Sequence, residues 1–250
     1  MSRSSLGVSL GVAVSMFLSG CSGCSKDPNE GQPAATVGEA VETATAPTGK
    51  PTAVPTTPAG TDAGPGDAGA TTDASATAEA KPPEELALSP ATGSILFTGS
   101  KVGGSHDGSF KKFTGTLTLV PDAIENSKVS VDIDLASVST DNGKLTDHLK
   151  SEDFFNVAKF TKATFRSTSI KPVATMKGAT HTITGNLDFH GVKKSLSFPA
   201  NITVTDDKVT ASAQFSMNRK TFNVAFDGET DYLIKDLVFV RVTVNAPRKK

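Results

Sequence analysis

The sequence predicts an all-β domain of about eight short antiparallel strands, arranged as a sandwich or a closed barrel. Three observations carry that prediction. Short apolar alternations separated by turn residues recur at even spacing from about residue 86 onward. One interruption, residues 145–165, joins a short helical stretch to the densest aromatic cluster of the chain. Composition then divides the chain: thirteen of the fourteen Phe and the only Tyr, Tyr232, lie beyond residue 96, so the first third has little with which to build a core.

At the amino end, Arg3 precedes an apolar run over residues 6–18, too short to span a bilayer permanently. Leu18-Ser19-Gly20-Cys21 follows and resembles the bacterial lipobox. Residues 1–21 are therefore expected to be a lipoprotein signal peptide, with Cys21 carrying the acyl chains. Multiple chains on one Cys give stable anchoring, because each buried methylene adds about 0.8 kcal/mol. Ser22 stands where an Asp would favour inner-membrane retention in enteric bacteria, which points to the outer membrane facing the periplasm. The one other cysteine is Cys24. Disulfides, redox pairs and Cys-based metal sites are thereby excluded from residues 86–250.

Residues 22–85 are rich in Ala, Thr, Pro and Gly and bury too little surface to offset their ordering entropy. They are expected to be a disordered linker that lets the domain reach away from its anchor. The domain proper is expected over residues 86–247. Residues 86–250 carry 21 basic against 16 acidic side chains, with the lysines scattered. No nucleic-acid partner is expected of so weak and unpatterned a surplus.

Taken in order, residues 94–98 form a first strand with Ile95 and Phe97 on one face. The glycines of 101–110 then permit a tight reversal. A second strand spans 110–120 and Pro121-Asp122-Ala123 turns the chain. Val129, Val131, Ile133 and Leu135 alternate with Ser130, Asp132, Asp134 and Ala136, the clearest period of two in the sequence. A short helix is expected around 144–150. Phe154, Phe155 and Phe160 then form a loop, because with Phe165 they cannot share one helical face. Strands follow at 163–170, 182–189, 196–204, 209–215 and 237–244. The segment 145–165 reads as a lid, either on a solid core or on a ligand cavity.

No catalytic constellation emerges. The four histidines, His106, His148, His181 and His190, show no ligand spacing such as i, i+4. His106 beside Asp107 lacks a nucleophile, and neither a phosphate loop nor a Gly-x-Ser-x-Gly motif occurs. No enzyme activity, cofactor or metal is expected. Arg219, with a planar fork suited to an anionic group, either contacts a ligand head or pairs with Asp227 or Asp231 to pin its loop.

Lys101-Val102-Gly103-Gly104-Ser105-His106, the run Asp147 through Val157, Gly185-Asn186-Leu187 with His190 through Lys194, and Arg219-Lys220-Thr221-Phe222-Asn223 resemble successive motifs of the YceI-like, polyisoprenoid-binding family. The resemblance covers roughly residues 90–246. It implies an eight-stranded, lipocalin-like barrel enclosing a tunnel for a polyprenyl or quinone-type chain, lidded by 145–165 with Phe154 or Phe155 turned inward. The ligand-binding residues so implied are Phe97, Phe154, Phe155, Phe160, Phe165, Leu187, Phe189, Phe215, Phe222 and Arg219. Thr161 replaces the family's usual Pro, and Asn223 its usual Gly, at a position where Asn also accepts left-handed backbone. The implied function is an envelope lipoprotein that sequesters or transports an isoprenoid-like lipid. The competing readings are a solid barrel acting as a structural or interaction module, and an enzyme, which requires His106, His148 and Asp147 to converge. The sequence leaves a homodimer open.

Overall fold

A computed structural model of the chain describes residues 27–41, 81–174, 178–226 and 233–248. Cys21 and most of the linker lie outside the described residues. Among the described residues, twelve strands form one sheet: β1 Thr36–Glu39, β2 Glu84–Leu88, β3 Gly93–Lys101, β4 Gly104–Phe110, β5 Phe113–Leu119, β6 Lys128–Asp134, β7 Val138–Thr140, β8 Lys162–Pro172, β9 His181–Phe189, β10 Val192–Val204, β11 Lys208–Asn218 and β12 Leu237–Pro247. One helix, α1 (Gly143–Lys150), follows β7. Strand pairing is antiparallel throughout, in the order β2-β5-β6-β8-β9-β10-β11-β12-β3-β4-β7, with β1 added to β10.

This corrects the eight-stranded barrel. The expected strand at 110–120 is β5 alone, and residues 104–110, expected as part of a tight reversal, form a further strand, β4, set off from β5 by a bend at Lys111. The N–H of Lys112 there bonds the Ser137 hydroxyl at 2.9 Å. The strands β1, β2 and β7 are too short to show a period in sequence. The hydrogen-bonded order is also open, running from β2 to β7, so the fold is a curled sheet. A bulge at Thr168, between Ser167 and Ser169, bends β8 and adds to the curl. The curl returns β2 to β12, where Leu86 and Leu88 bury against Leu117, Leu119, Val209 and Ala246. Arg248 locks this seam by bonding Glu84 through Nε at 3.0 Å.

The larger core occupies the concave side and includes Phe155, Ile183, Leu187, Phe189, Leu196, Phe198 and Phe215. Two glycines make room for rings there. A Cβ at Gly108 would strike the Phe97 ring, and one at Gly185 would strike Phe165 and the carbonyl of Arg166. Gly185 thus seats an aromatic from the neighbouring strand and is not empty space in the wall.

Residues 27–41 depart from the expected linker. The strands β10 and β11 pair from Ala200↔Ala213 to Val204↔Val209 and then part. Beyond that point β1 takes up the free edge of β10, with Val37 opposite Leu196 and Glu39 opposite Lys194. Ala34 bridges Ser216 of β11. Ala35 and Val37 pack on the core. Two free strand edges are a strong attraction for a short extended segment, even one of weak composition, because each backbone group gains a partner.

Candidate functional site

The concave face encloses a cavity of about 800 Å³, near the upper end of the usual size for small-molecule sites. Its walls come from inward positions of nearly every long strand. These include Ile95 and Phe97 of β3, Phe165 of β8, Ile183, Leu187 and Phe189 of β9, Leu196 and Phe198 of β10, Ala213 and Phe215 of β11, and Val240 and Val242 of β12. Strand pairing puts these side chains on one face, as Phe97 opposite Val240 and Ile183 opposite Phe198 illustrate.

The lid is built locally. Asn142 caps α1 by accepting the N–H of Leu145 at 3.2 Å. The chain then doubles back, so that the N–H groups of Phe155 and Val157 satisfy the carbonyls of Leu149 and Lys150. Asn156, at φ 43°, makes the reversal. Consecutive residues Phe154 and Phe155 are consequently both buried, where one of the two was expected inward. Phe154 stacks on Phe226 with centroids 5.6 Å apart, and Phe155 meets the edge of Phe189 at 5.5 Å. The entry at Thr161 is held by its carbonyl, which accepts the N–H of Leu135 at 3.0 Å.

While Ser127 and Ser212 line the cavity elsewhere, the charged and histidine lining residues gather at the lid end. Lys101, His106, Asn142, Lys144, His148, Arg219 and Lys235 all stand there. Lys101, Asn142, Lys144 and Lys235 are exposed, so this end is the cavity mouth. The opposite end is sealed by Leu88, Leu117, Leu119 and Val209. His106 Nδ1 pairs with Asp141 at 2.9 Å and His148 Nε2 with Asp153 at 2.8 Å. These are two separate pairs, and Asp147 takes part in neither.

Among the sequence-predicted ligand residues, Phe97, Phe154, Phe155, Phe165, Leu187, Phe189, Phe215 and Arg219 line the cavity. Two do not. Phe160 lies on the far side of its loop, edge-on to His190 at 4.5 Å and over Gly191. Phe222 is fully buried behind Phe189, at 6.0 Å. Arg219 is also spent on structure. Its Nη1 donates to the Val224 carbonyl at 2.8 Å, its Nε and Nη2 reach the carbonyls of Lys235 and Ile234, and Nη2 pairs with Asp236. Asp227 and Asp231, the partners weighed from sequence, lie outside the described residues. Asn223 adopts φ 55°, the left-handed geometry expected of it. Phe198, missed in the sequence reading, stacks on Phe215 at 4.5 Å. The signal was present, since Leu196 and Phe198 alternate with Ser195 and Ser197.

Comparison with known proteins places these features. The family model described as YceI-like domain matches residues 86–246. Proteins named YceI from Salmonella arizonae and Salmonella newport are each 36% identical over 126 residues, covering 48% of this chain and 64% of theirs. The match thus spans a little under two thirds of those relatives. Among solved structures, Burkholderia cenocepacia BcnA aligns with a TM-score of 0.57 at 23% identity, over 63% of this chain and 98% of its own. The Campylobacter jejuni YCEI protein aligns at 0.50 with 27% identity, over 57% and 85%. A polyisoprenoid binding domain from Saccharophagus degradans, implicated in plant cell wall breakdown, aligns at 0.50 with 15% identity, over 67% and 99%.

Proposed function

The chain belongs to the YceI-like domain family, and from that premise we propose that it is an envelope lipoprotein holding one elongated amphiphile, of polyisoprenoid or quinone type, for sequestration or transport. The observation that carries the reading is the cavity, about 800 Å³ in volume, predominantly apolar, with its charged lining residues at the mouth. A chain drawn into it gains about 25 cal/mol for each Å² of apolar surface removed from water. No covalent step is required. The polyisoprenoid binding described for the Saccharophagus neighbour supports the same ligand class. The polar end suits a head group left at the rim while the tail fills the interior.

Extraction tests the reading. Protein purified without detergent exchange and then denatured should release a prenyl or quinone-type lipid in stoichiometric amount by mass spectrometry. Absence of any lipid, together with no affinity for added polyprenyl or quinone analogues, would sink the proposal. The anchor is tested separately: Cys21→Ser should move the protein from the membrane to the soluble fraction. A Cys21→Ser protein that still sediments with membranes refutes acylation at this residue.

A further inference from the structure

Residues 27–41 form a strap whose ends are fixed to the sheet. At its start, Asp27 pairs with Lys235, and Asn29 Nδ2 donates to the carbonyl of Leu237 at 3.2 Å. In its middle, the N–H of Ser216 donates to the Pro33 carbonyl at 2.9 Å and that of Ala35 to the Ser216 carbonyl at 2.8 Å. At its end, the buried Asn186 amide clamps Val41 in both directions, accepting its N–H at 3.0 Å and donating to its carbonyl. The chain next rejoins the sheet near Lys81, whose N–H bonds Asp122 at 3.2 Å. Residues 42–80 therefore connect two points on the same sheet. They do not separate the sheet from whatever precedes residue 27.

That changes the geometry of attachment. Five residues, 22–26, lie between Cys21 and Asp27. Fully extended, they allow roughly 20 Å between the two Cα positions. A free linker of residues 22–85 would allow an r.m.s. span of roughly 40–45 Å. Asp27 sits at the cavity mouth, because its partner Lys235 lines the cavity there. The same rim carries Val102, 69% exposed at the β3–β4 hairpin tip, and Leu237, 40% exposed. Lys101, Lys220 and Lys235 accompany them, Lys220 bonding Asp236 at 3.0 Å. Apolar tips beside lysines suit a lipid surface.

We propose that the strap holds the cavity mouth against the bilayer that carries the anchor, so that an amphiphile passes between membrane and cavity without crossing water. The proposal rests on acylation of Cys21. With β12 eleven residues long, the mouth and the sealed end lie about 35 Å apart. The two ends are therefore distinguishable by energy transfer.

The test uses full-length acylated protein, with Cys24→Ser, in phosphatidylethanolamine and phosphatidylglycerol vesicles bearing a head-group-linked acceptor. A donor dye is placed at Val102→Cys, on the rim, or at Asp206→Cys, in the turn at the sealed end. Transfer from position 102 should exceed that from 206 several-fold. Inserting about forty Gly/Ser residues before Asp27 adds a span of roughly 30–40 Å and should bring the two labels together. Deleting residues 55–70 should leave their ratio unchanged. Equal transfer from both labels, or a ratio that responds to the deletion and not to the insertion, overturns the proposal. A mass spectrum with Cys21 unmodified overturns the anchor reading itself, so the two failures are told apart.

Discussion

Arg219 is the residue whose role the structure most sharply redirects. Three carbonyls and Asp236 share its guanidinium, which is buried at the base of the loop after β11. Arg219→Met removes the donors and leaves those carbonyls unsatisfied, at a cost of about 2–4 kcal/mol. Chemical denaturation should show that loss in apo protein, before any ligand is added. A variant of unchanged stability but weakened ligand affinity would restore the head-group role. Gly185 supplies a second case: Gly185→Ala forces the Phe165 ring and the Arg166 carbonyl to shift, with an expected loss of about 1–3 kcal/mol by the same assay. Sequence revealed which aromatics are apolar and inward in strands, because a strand's alternation fixes the face. It could not do so for Phe160 or Phe222, which lie in turns without a period.

The strap and the β2–β12 seam are two elements fastened by carboxylates, and both carry a pH dependence of one sign. Lys235 and the N–H of Asn29 hold Asp27 below its ordinary value, and Arg248 does the same to Glu84. An acid depressed in the folded state stabilises it fully above the unfolded pKa, near 4, and loses that contribution as pH falls through the folded value. Amide exchange at Ala35 and Val37 should therefore accelerate as pH drops below about 4, relative to the intrinsic rate. Asp27→Asn should accelerate it already at neutral pH and flatten the dependence. If Asp27→Asn leaves exchange in residues 33–39 untouched, the ion pair does not fasten the strap. β1 and β2 are also among the elements that sequence missed. Eight of the nine longer strands, all but β4, show an alternating or continuous apolar pattern, but β1 has only Val37 as a large apolar residue. Its place is decided by the gap that β10 and β11 leave, a long-range property absent from its own residues.

At the scale of the molecule, a sheet of twelve strands could have filled its concavity with side chains and did not. The lining mixes large rings with the small residues Ala200, Ala211 and Ala213, and space remains at the level of Ala213. An unfilled apolar volume forfeits dispersion contacts, so a lining that keeps it is more stable when occupied. Ligand at a hundred times its Kd should stabilise the protein by about 2.7 kcal/mol, a rise in Tm of roughly 5–10 °C for a domain of this size. Ala213→Phe separates occupancy from folding. Ala213 lies opposite Ala200 and Val242 on the inner face, so an added ring enters the cavity and not the neighbouring strand. The variant should hold or raise the Tm of the ligand-free protein while abolishing the ligand-dependent rise, as differential scanning calorimetry would read it. If Ala213→Phe lowers the Tm of the ligand-free protein by many degrees, the space at this level is already filled by packing. If it binds as well as the parent, the ligand lies elsewhere.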